Sequence, residues 1–148
     1  MKNYNEVNIK IMSRSSNESF ARTALAAFIS QLDPTIDEIS DIKTAVSEAV
    51  TNSIVHGYKD KVGYIFITAK LYDDGKVYVK IRDKGCGIEN IEQAMEPLFT
   101  SSDTGDRAGM GFSIMEAFMD KIKVKSVVGK GTTVTLQKVL ELREFKKQ

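Results

Sequence analysis

Glu48, Asn52 and His56 stand at i, i+4 and i+8, a spacing that lines three polar side chains along one face of a helix. A carboxylate one turn from an amide is a useful pair. The Asn52 carbonyl oxygen suits a hard cation such as Mg²⁺, and Glu48 can take a proton from a nucleophile. The spacing alone fits two readings equally: a stripe for phosphate chemistry, or a polar stripe facing solvent. For His56, beside the helix-stopping Gly57, a C-terminal cap or a structural hydrogen bond is the simpler role.

Three glycine-bearing segments add to this stripe. Asp83-Lys84-Gly85-Cys86-Gly87 leaves a strand in a sharp turn. A carboxylate at that strand end can accept from an exocyclic amine such as that of adenine, and the plainer alternative is an ordinary glycine turn with a surface Asp. Cys86 between the glycines reads as a small space-filler. Gly109-Met110-Gly111-Phe112 opens a helix, where free backbone N–H groups and the helix dipole favour an anion. Arg107, just upstream, is placed either to contact a terminal phosphate or to sit as a solvated loop arginine. Gly129-Lys130-Gly131-Thr132-Thr133 reads as a tight hairpin, with the Thr132 hydroxyl free for a ligand base or a cross-strand neighbour. The chain has neither G-x-x-x-x-G-K-[ST] nor G-x-G-x-x-G after its first strand, so P-loop and Rossmann binding are not indicated.

The elements that must position these residues follow from periodicity. Val7, Ile9 and Ile11 alternate with polar neighbours as a strand with one buried face. Ser15 and Glu18 have the spacing of a capping box ahead of a helix running to Leu32, whose apolar stripe is broader than one sheet contact needs. Thr35 and Glu38 repeat the signature before a long helix through Ile54 that Gly57 stops. Tyr64–Tyr72 and Val77–Asp83 form a hairpin through Asp73-Asp74-Gly75. From Lys84 to Met110 the pattern is irregular, the mark of a functional or disordered loop. A short helix from about Gly111 to Asp120 and strands near Ile122–Val127 and Thr132–Val139 complete the chain, followed by a charged tail at about 141–148.

Composition narrows the function classes. The 148 residues suit one domain, and a chain of this length can bury roughly 68–70% of its unfolded surface without metal or disulfide staples. A net charge of +1 disfavours nucleic acid as the main partner. One cysteine and one histidine exclude an intramolecular disulfide and a Cys/His zinc cluster. The sequence carries no signal-peptide h-region and no apolar run long enough to span a bilayer, so the expected location is cytoplasmic, with no membrane partner.

Taken together and in order, E-A-V-T-N-S-I-V-H-G at 48–57, D-K-G-C-G-I at 83–88, G-M-G-F at 109–112 and G-K-G-T-T at 129–133 resemble the N, G1, G2 and final GT boxes of the GHKL ATPase/kinase superfamily. Within it, S-S-N-E-S-F-A-R at 15–22, Q-L-D-P-T at 31–35 and P-L-F-T at 97–100 resemble the small anti-sigma kinases of endospore-forming bacteria. The resemblance implies an α+β fold of the Bergerat type: a mixed, mainly antiparallel sheet with helices on one face, as a single 1–148 domain with a lid over about 98–110.

It further implies that ATP or ADP binds with Mg²⁺ at Asn52, with Glu48 as general base for a substrate serine. Asp83 would take the adenine amino group, Gly85, Gly87 and Thr132 would complete that pocket, Gly109 and Gly111 would approach the phosphates, and Arg107 would contact the terminal one. Arg22 matches a partner-contacting position. The implied partners are a sporulation sigma factor, held by a homodimer, and an anti-anti-sigma factor as serine substrate. The alternative is a nucleotide-gated sigma-binding module with little or no kinase activity. An autophosphorylating histidine kinase is a poor reading, because no separate helical dimerisation domain carries a phospho-acceptor histidine. A gyrase- or chaperone-type ATPase fits poorly too, since the chain ends about fifteen residues after Thr133 without a transducer domain.

Overall fold

The computed structural model describes residues 3–96 and 110–141. Period-two patterning builds the sheet. In β2 (Tyr64–Tyr72) the side chains of Ile65, Ile67, Ala69 and Leu71 are buried, and in β3 (Lys76–Asp83) those of Val77, Val79 and Ile81 are, while their neighbours point the other way. The Asp73-Asp74-Gly75 hairpin sets this register, pairing Ile67 with Ile81 and Ala69 with Val79. β1 (Asn3–Met12), β4 (Lys121–Val127) and β5 (Gly131–Val139) complete a five-stranded sheet of order β1-β2-β3-β5-β4, every pairing antiparallel.

Three helices cover one face. α1 (Ser16–Ile29) buries Ala21, Leu25 and Ile29, and α2 (Ile36–Asn52) buries Ile42, Ala45, Val46, Ala49 and Val50. α4 (Met110–Phe118) adds Phe112 and Met115 to the same core as the inner sheet residues. The α+β sandwich with helices on one face is thus the observed architecture. Burial on this scale, at about 1.5–3 kcal/mol per large apolar side chain, holds α2 against β3 and β5, the strands that carry the candidate site, and α4 against α2 and β4.

The two expected capping boxes differ in outcome. Thr35 Oγ1 accepts from Glu38 N at 3.1 Å and Thr35 N donates to Glu38 Oε1 at 2.8 Å, so the second box forms. The first does not. Ser15 already has helical backbone (φ −58°, ψ −32°), which turns its hydroxyl away from the free N–H groups that an extended N-cap residue would reach. Glu18 instead points forward, 3.4 Å from Arg22 Nε. α1 ends at Ile29 and tightens into a 3₁₀ turn, Ser30–Leu32, closed by Asp33 in the left-handed region. Phe20 stays 55% exposed, so the expected excess apolar breadth of this helix is left facing outward.

Two further differences bear on the site. α2 stops being α-helical at Asn52 and continues as a π turn, Ser53–Gly57, which re-aims the side chains after Asn52. The irregular stretch after Lys84 contains one helical turn, α3 (Ile91–Ala94), capped by Asn90 Oδ1 accepting from Gln93 N at 3.0 Å. The lid expected over about 98–110 falls almost wholly outside the described residues, and so does nearly all of the tail. Among the described residues no helix is long and apolar enough to cross a membrane.

Candidate functional site

A cavity of about 400 Å³ opens between the end of α2, the loop after β3, α3 and the start of α4. That volume suits a small-molecule ligand. Asn52, His56, Asp83, Gly87, Gly111 and Thr132 all line it, so residues far apart in sequence meet around one cavity.

Asp83 is the polar anchor. It ends β3 on the helix-facing side, paired across the sheet with Ile65 and Thr132, and is 4% exposed. Ser53 Oγ donates to Asp83 Oδ2 at 2.8 Å and Gly85 N donates to Oδ1 at 2.9 Å. Burial pushes the Asp83 carboxyl above its ordinary value. Hydrogen bonds from the Gly85 backbone, the Ser53 hydroxyl and the Thr132 backbone pull in the other direction. The result is an acceptor at the cavity floor, suited to an amino group on a ligand.

Glycines let the surrounding backbone close in. A Cβ on Gly85 would lie 2.2 Å from the Gly57 carbonyl oxygen, and Cys86 N donates to that oxygen at 2.8 Å. Gly87 has φ +77° and a Cβ there would sit 2.4 Å from Val127 O. Cys86 O accepts from Gly129 N at 2.8 Å, so one residue clips the loop after β3 to the π turn on one side and to the β4–β5 hairpin on the other. Cys86 is exposed, which corrects its reading as a space-filler. Its backbone does the joining, and its thiol lies on the cavity wall, donating to His56 O at 3.2 Å.

Gly85 is thus a packing contact behind the wall and is absent from the lining itself. Thr132 does both things its position allows: it lines the cavity, and its Oγ1 is 2.8 Å from Ser126 Oγ on the neighbouring strand. Ser126 Oγ also accepts from Ile88 N at 2.7 Å and so orders the segment after Gly87.

At the other end of the cavity Asn52 meets α4. A Cβ on Gly111 would fall 3.0 Å from Asn52 Nδ2 and 3.1 Å from Oδ1. Only a glycine in the first turn of α4 leaves the amide its place beside that helix's N-terminus, where an anion is favoured. Asn52 offers one hard oxygen there. Mg²⁺ is commonly held by one or two protein oxygens with ligand phosphates and water supplying the rest, so the donor set fits Mg²⁺ only in company with a phosphorylated ligand.

Glu48 is not part of this cavity. It is 6% exposed and lines a second concavity of about 410 Å³ between α1 and α2, together with Arg22, Lys43 and Ser47. The stripe read from the sequence is therefore divided: α2 shows Asn52 to the cavity and Glu48, one turn earlier, to a groove that also holds Arg22. His56 lies on the cavity wall, half-buried. Burial and the nearby Lys59 charge lower its pKa and favour the neutral ring. Arg107 and Gly109 lie outside the described residues.

Ser53 and Ser126 are the polar residues that sequence patterning does not single out. Ser53 is off the i, i+4 stripe, and only the π turn and the buried Asp83 explain its place. Ser126 looks like any polar residue on an alternating strand.

The family model of the histidine kinase-like ATPase domain matches residues 13–138. The anti-sigma F factor of Clostridium beijerinckii is 57% identical over 135 residues, covering 90% of this chain and 94% of that protein. The anti-sigma F factor of Geobacillus thermodenitrificans is 56% identical over 135 residues, covering 90% and 92%. Among solved structures, the RsbU and RsbW domains of a Mycobacterium tuberculosis protein superpose with a TM-score of 0.66 at 23% identity, over 92% of this chain and 32% of that one. The mycobacterial sensor histidine kinase MprB gives 0.55 at 16% identity, over 93% and 100%. The two structural likenesses speak to the fold, and the far higher identities to the relationship: this chain belongs to the anti-sigma F factor family, built on a histidine kinase-like ATPase domain.

Proposed function

We propose that the chain is an anti-sigma factor and a serine protein kinase: it holds a sporulation sigma factor, and it uses Mg-ATP to phosphorylate and inactivate an anti-anti-sigma factor. The observation that carries this reading is the division of labour across α2, with Asn52 in the cavity and Glu48 in the groove shared with Arg22. A nucleotide and a protein substrate can then approach the same helix turn from two sides.

In this mechanism Asp83, oriented by Ser53 and Gly85, accepts a hydrogen bond from the adenine amino group, and Thr132 and Gly87 flank the base. Bound Mg-ATP supplies the transferable phosphoryl group and the charge neutralisation its transfer requires. Asn52 would hold the cation through its carbonyl oxygen, and Gly111 leaves the amide room to do so. The substrate serine enters along the groove beside Arg22. As its oxygen bonds to the terminal phosphorus and the bond to the ADP oxygen breaks, Glu48 accepts the hydroxyl proton. Positioning and electrostatics supply most of the acceleration. By the family resemblance Arg107 would contact the terminal phosphate and Gly109 would approach the phosphate chain, both outside the described residues. The exposed Phe20 on α1 offers a further apolar contact to a protein partner, and two copies form the homodimer that holds one sigma factor.

Intact-mass analysis of the anti-anti-sigma factor after incubation with this chain and Mg-ATP tests the reading. One added phosphate is the expected result. No phosphate, with ATP binding measured in the same sample, would leave a nucleotide-gated sigma-binding module instead.

A further inference from the structure

The near-zero net charge conceals a segregated one. Residues directly opposite one another in the strand registers share a face, so the open side of the sheet reads as cross-strand rows. Lys10, Phe66, Arg82, Thr133 and Lys125 form one row. Asn8, Thr68, Lys80, Thr135 and Lys123 form the next. Glu6, Lys70, Tyr78, Gln137 and Lys121 form the third. Seven cations thus stand with a single carboxylate, Glu6, on the face that no helix among the described residues covers. Rings are interleaved with them: Lys10 Nζ lies 4.1 Å from the Tyr64 ring centre, Arg82 4.7 Å from that of Phe66, and Lys70 5.7 Å from that of Tyr78.

We infer that this face binds single-stranded nucleic acid, through its phosphates to the lysines and its bases to the Arg82 guanidinium that lies over Phe66 and to the exposed Tyr64 ring. Cations about 9.5 Å apart two strands across, as Lys10 and Arg82 or Lys80 and Lys123 are, and about 6.6 Å apart along β3 and β4 repel one another until a polyanion replaces their counterions. The remaining positions are hydroxyls and amides, which donate to phosphate. Protein interfaces are depleted in lysine at their centres and need a bare apolar anchor, whereas Phe66 here lies beneath Arg82, with Lys84 5.4 Å from its ring centre. An antiparallel sheet bearing rings and cations is the shape of a single-strand platform.

The test is fluorescence anisotropy of labelled oligo(dT) and oligo(U) with the full chain, from about 50 to about 200 mM salt. With four phosphates neutralised, affinity should fall about 50-fold over that range. Lys80→Glu/Lys123→Glu/Lys125→Glu should weaken binding about ten-fold or more at low salt while ATP binding, on the opposite face, stays at the parent value. Lys61→Glu should leave both unchanged. If the triple glutamate chain fails to fold, the triple glutamine chain replaces it with the same expectation. Preference for oligo(U) or oligo(dT) identifies RNA or DNA as the occupant. Binding that ignores salt, or survives the triple change, overturns the inference. So does equal competition by poly-glutamate, which would indicate an acidic protein, or capture by phosphatidylglycerol vesicles without oligonucleotide binding.

Discussion

Ser53 Oγ donates a 2.8 Å hydrogen bond to Asp83 Oδ2, joining the first residue of the π turn to the last residue of β3. Both groups are buried, so neither finds water as a substitute. The bond orients the carboxylate and ties the end of α2 to the sheet. Ser53→Ala should therefore cost about 1–3 kcal/mol of stability and weaken ATP binding about ten-fold. Denaturant unfolding and calorimetric titration with ATP measure the two effects, and an unchanged ATP affinity would separate Ser53 from the site.

Acid should affect ATP binding earlier than an ordinary carboxylate allows. Burial raises the Asp83 pKa in the folded chain above its unfolded value. A group raised in this way favours the fold while protonated, and that contribution is lost as pH rises through the folded value. Binding has the opposite sign, because the amino group needs the ionised acceptor. ATP affinity should thus fall, as pH is lowered, from above the usual carboxylate range, while Asp83 itself does not destabilise the fold there. Asp83→Asn should bind ATP at least about ten-fold more weakly and lose that part of the pH dependence. Titrations of both chains across mildly acidic pH decide it.

His56 acts in the reverse sense. Burial and Lys59 depress its pKa, so its contribution to stability is present above the unfolded value and lost as pH falls through the folded one. His56→Gln should flatten the decline in melting temperature below about pH 6.5, the unperturbed histidine value. A decline identical to the parent's would show that His56 is not its source.

Gly111→Ala should damage Mg²⁺ dependence more than nucleotide binding. The added Cβ would lie 3.0 Å from the Asn52 amide, which must shift by a few tenths of an ångström. Calorimetry with ATP in Mg²⁺ and in EDTA should show the advantage given by Mg²⁺ shrinking several-fold. Gly87→Ala differs in kind. Its φ of +77° and the 2.4 Å approach to Val127 O should cost about 1–3 kcal/mol of fold stability, visible as a lower unfolding midpoint.

Much of this was legible in residue order. The hairpin at Asp73-Asp74-Gly75, the Thr35–Glu38 box and the alternation in β2 and β3 are local signals, and local physics decides them. Asp83, Asn52, Gly87, Gly111 and Thr132 were marked by type and spacing, and they line one cavity. What spacing could not carry was the change of helical pitch at Ser53. It ends the i, i+4 rule and lets Ser53 reach a carboxylate thirty residues away. Nor could it show that Glu48 and Asn52, neighbours on one helix, open onto different concavities, because that depends on where α1 and α4 pack. The Ser15 box failed for a similar reason: the chain enters α1 already helical, through Asn17 N to Arg14 O at 2.9 Å.

The groove beside Arg22 should serve the protein substrate alone. Arg22 is held along α1 by Glu18 at 3.4 Å and lines the concavity that contains Glu48. Arg22→Ala should raise the KM for the anti-anti-sigma factor about ten-fold or more and leave ATP affinity untouched, which steady-state phosphorylation and ATP titration report separately. A matching loss of ATP affinity would argue against two separate approaches to α2.

The most direct measurement of the central claim is the rate of phosphate transfer to the anti-anti-sigma factor by Glu48→Gln against the parent chain, both saturated with Mg-ATP. The glutamine keeps the shape of the side chain and removes the proton acceptor. Transfer slowed by about 10²–10⁴-fold with ATP affinity unchanged is the predicted result. Transfer at the parental rate would contradict the assignment of Glu48 as the base, and with it the account of α2 as the helix on which nucleotide and protein substrate meet.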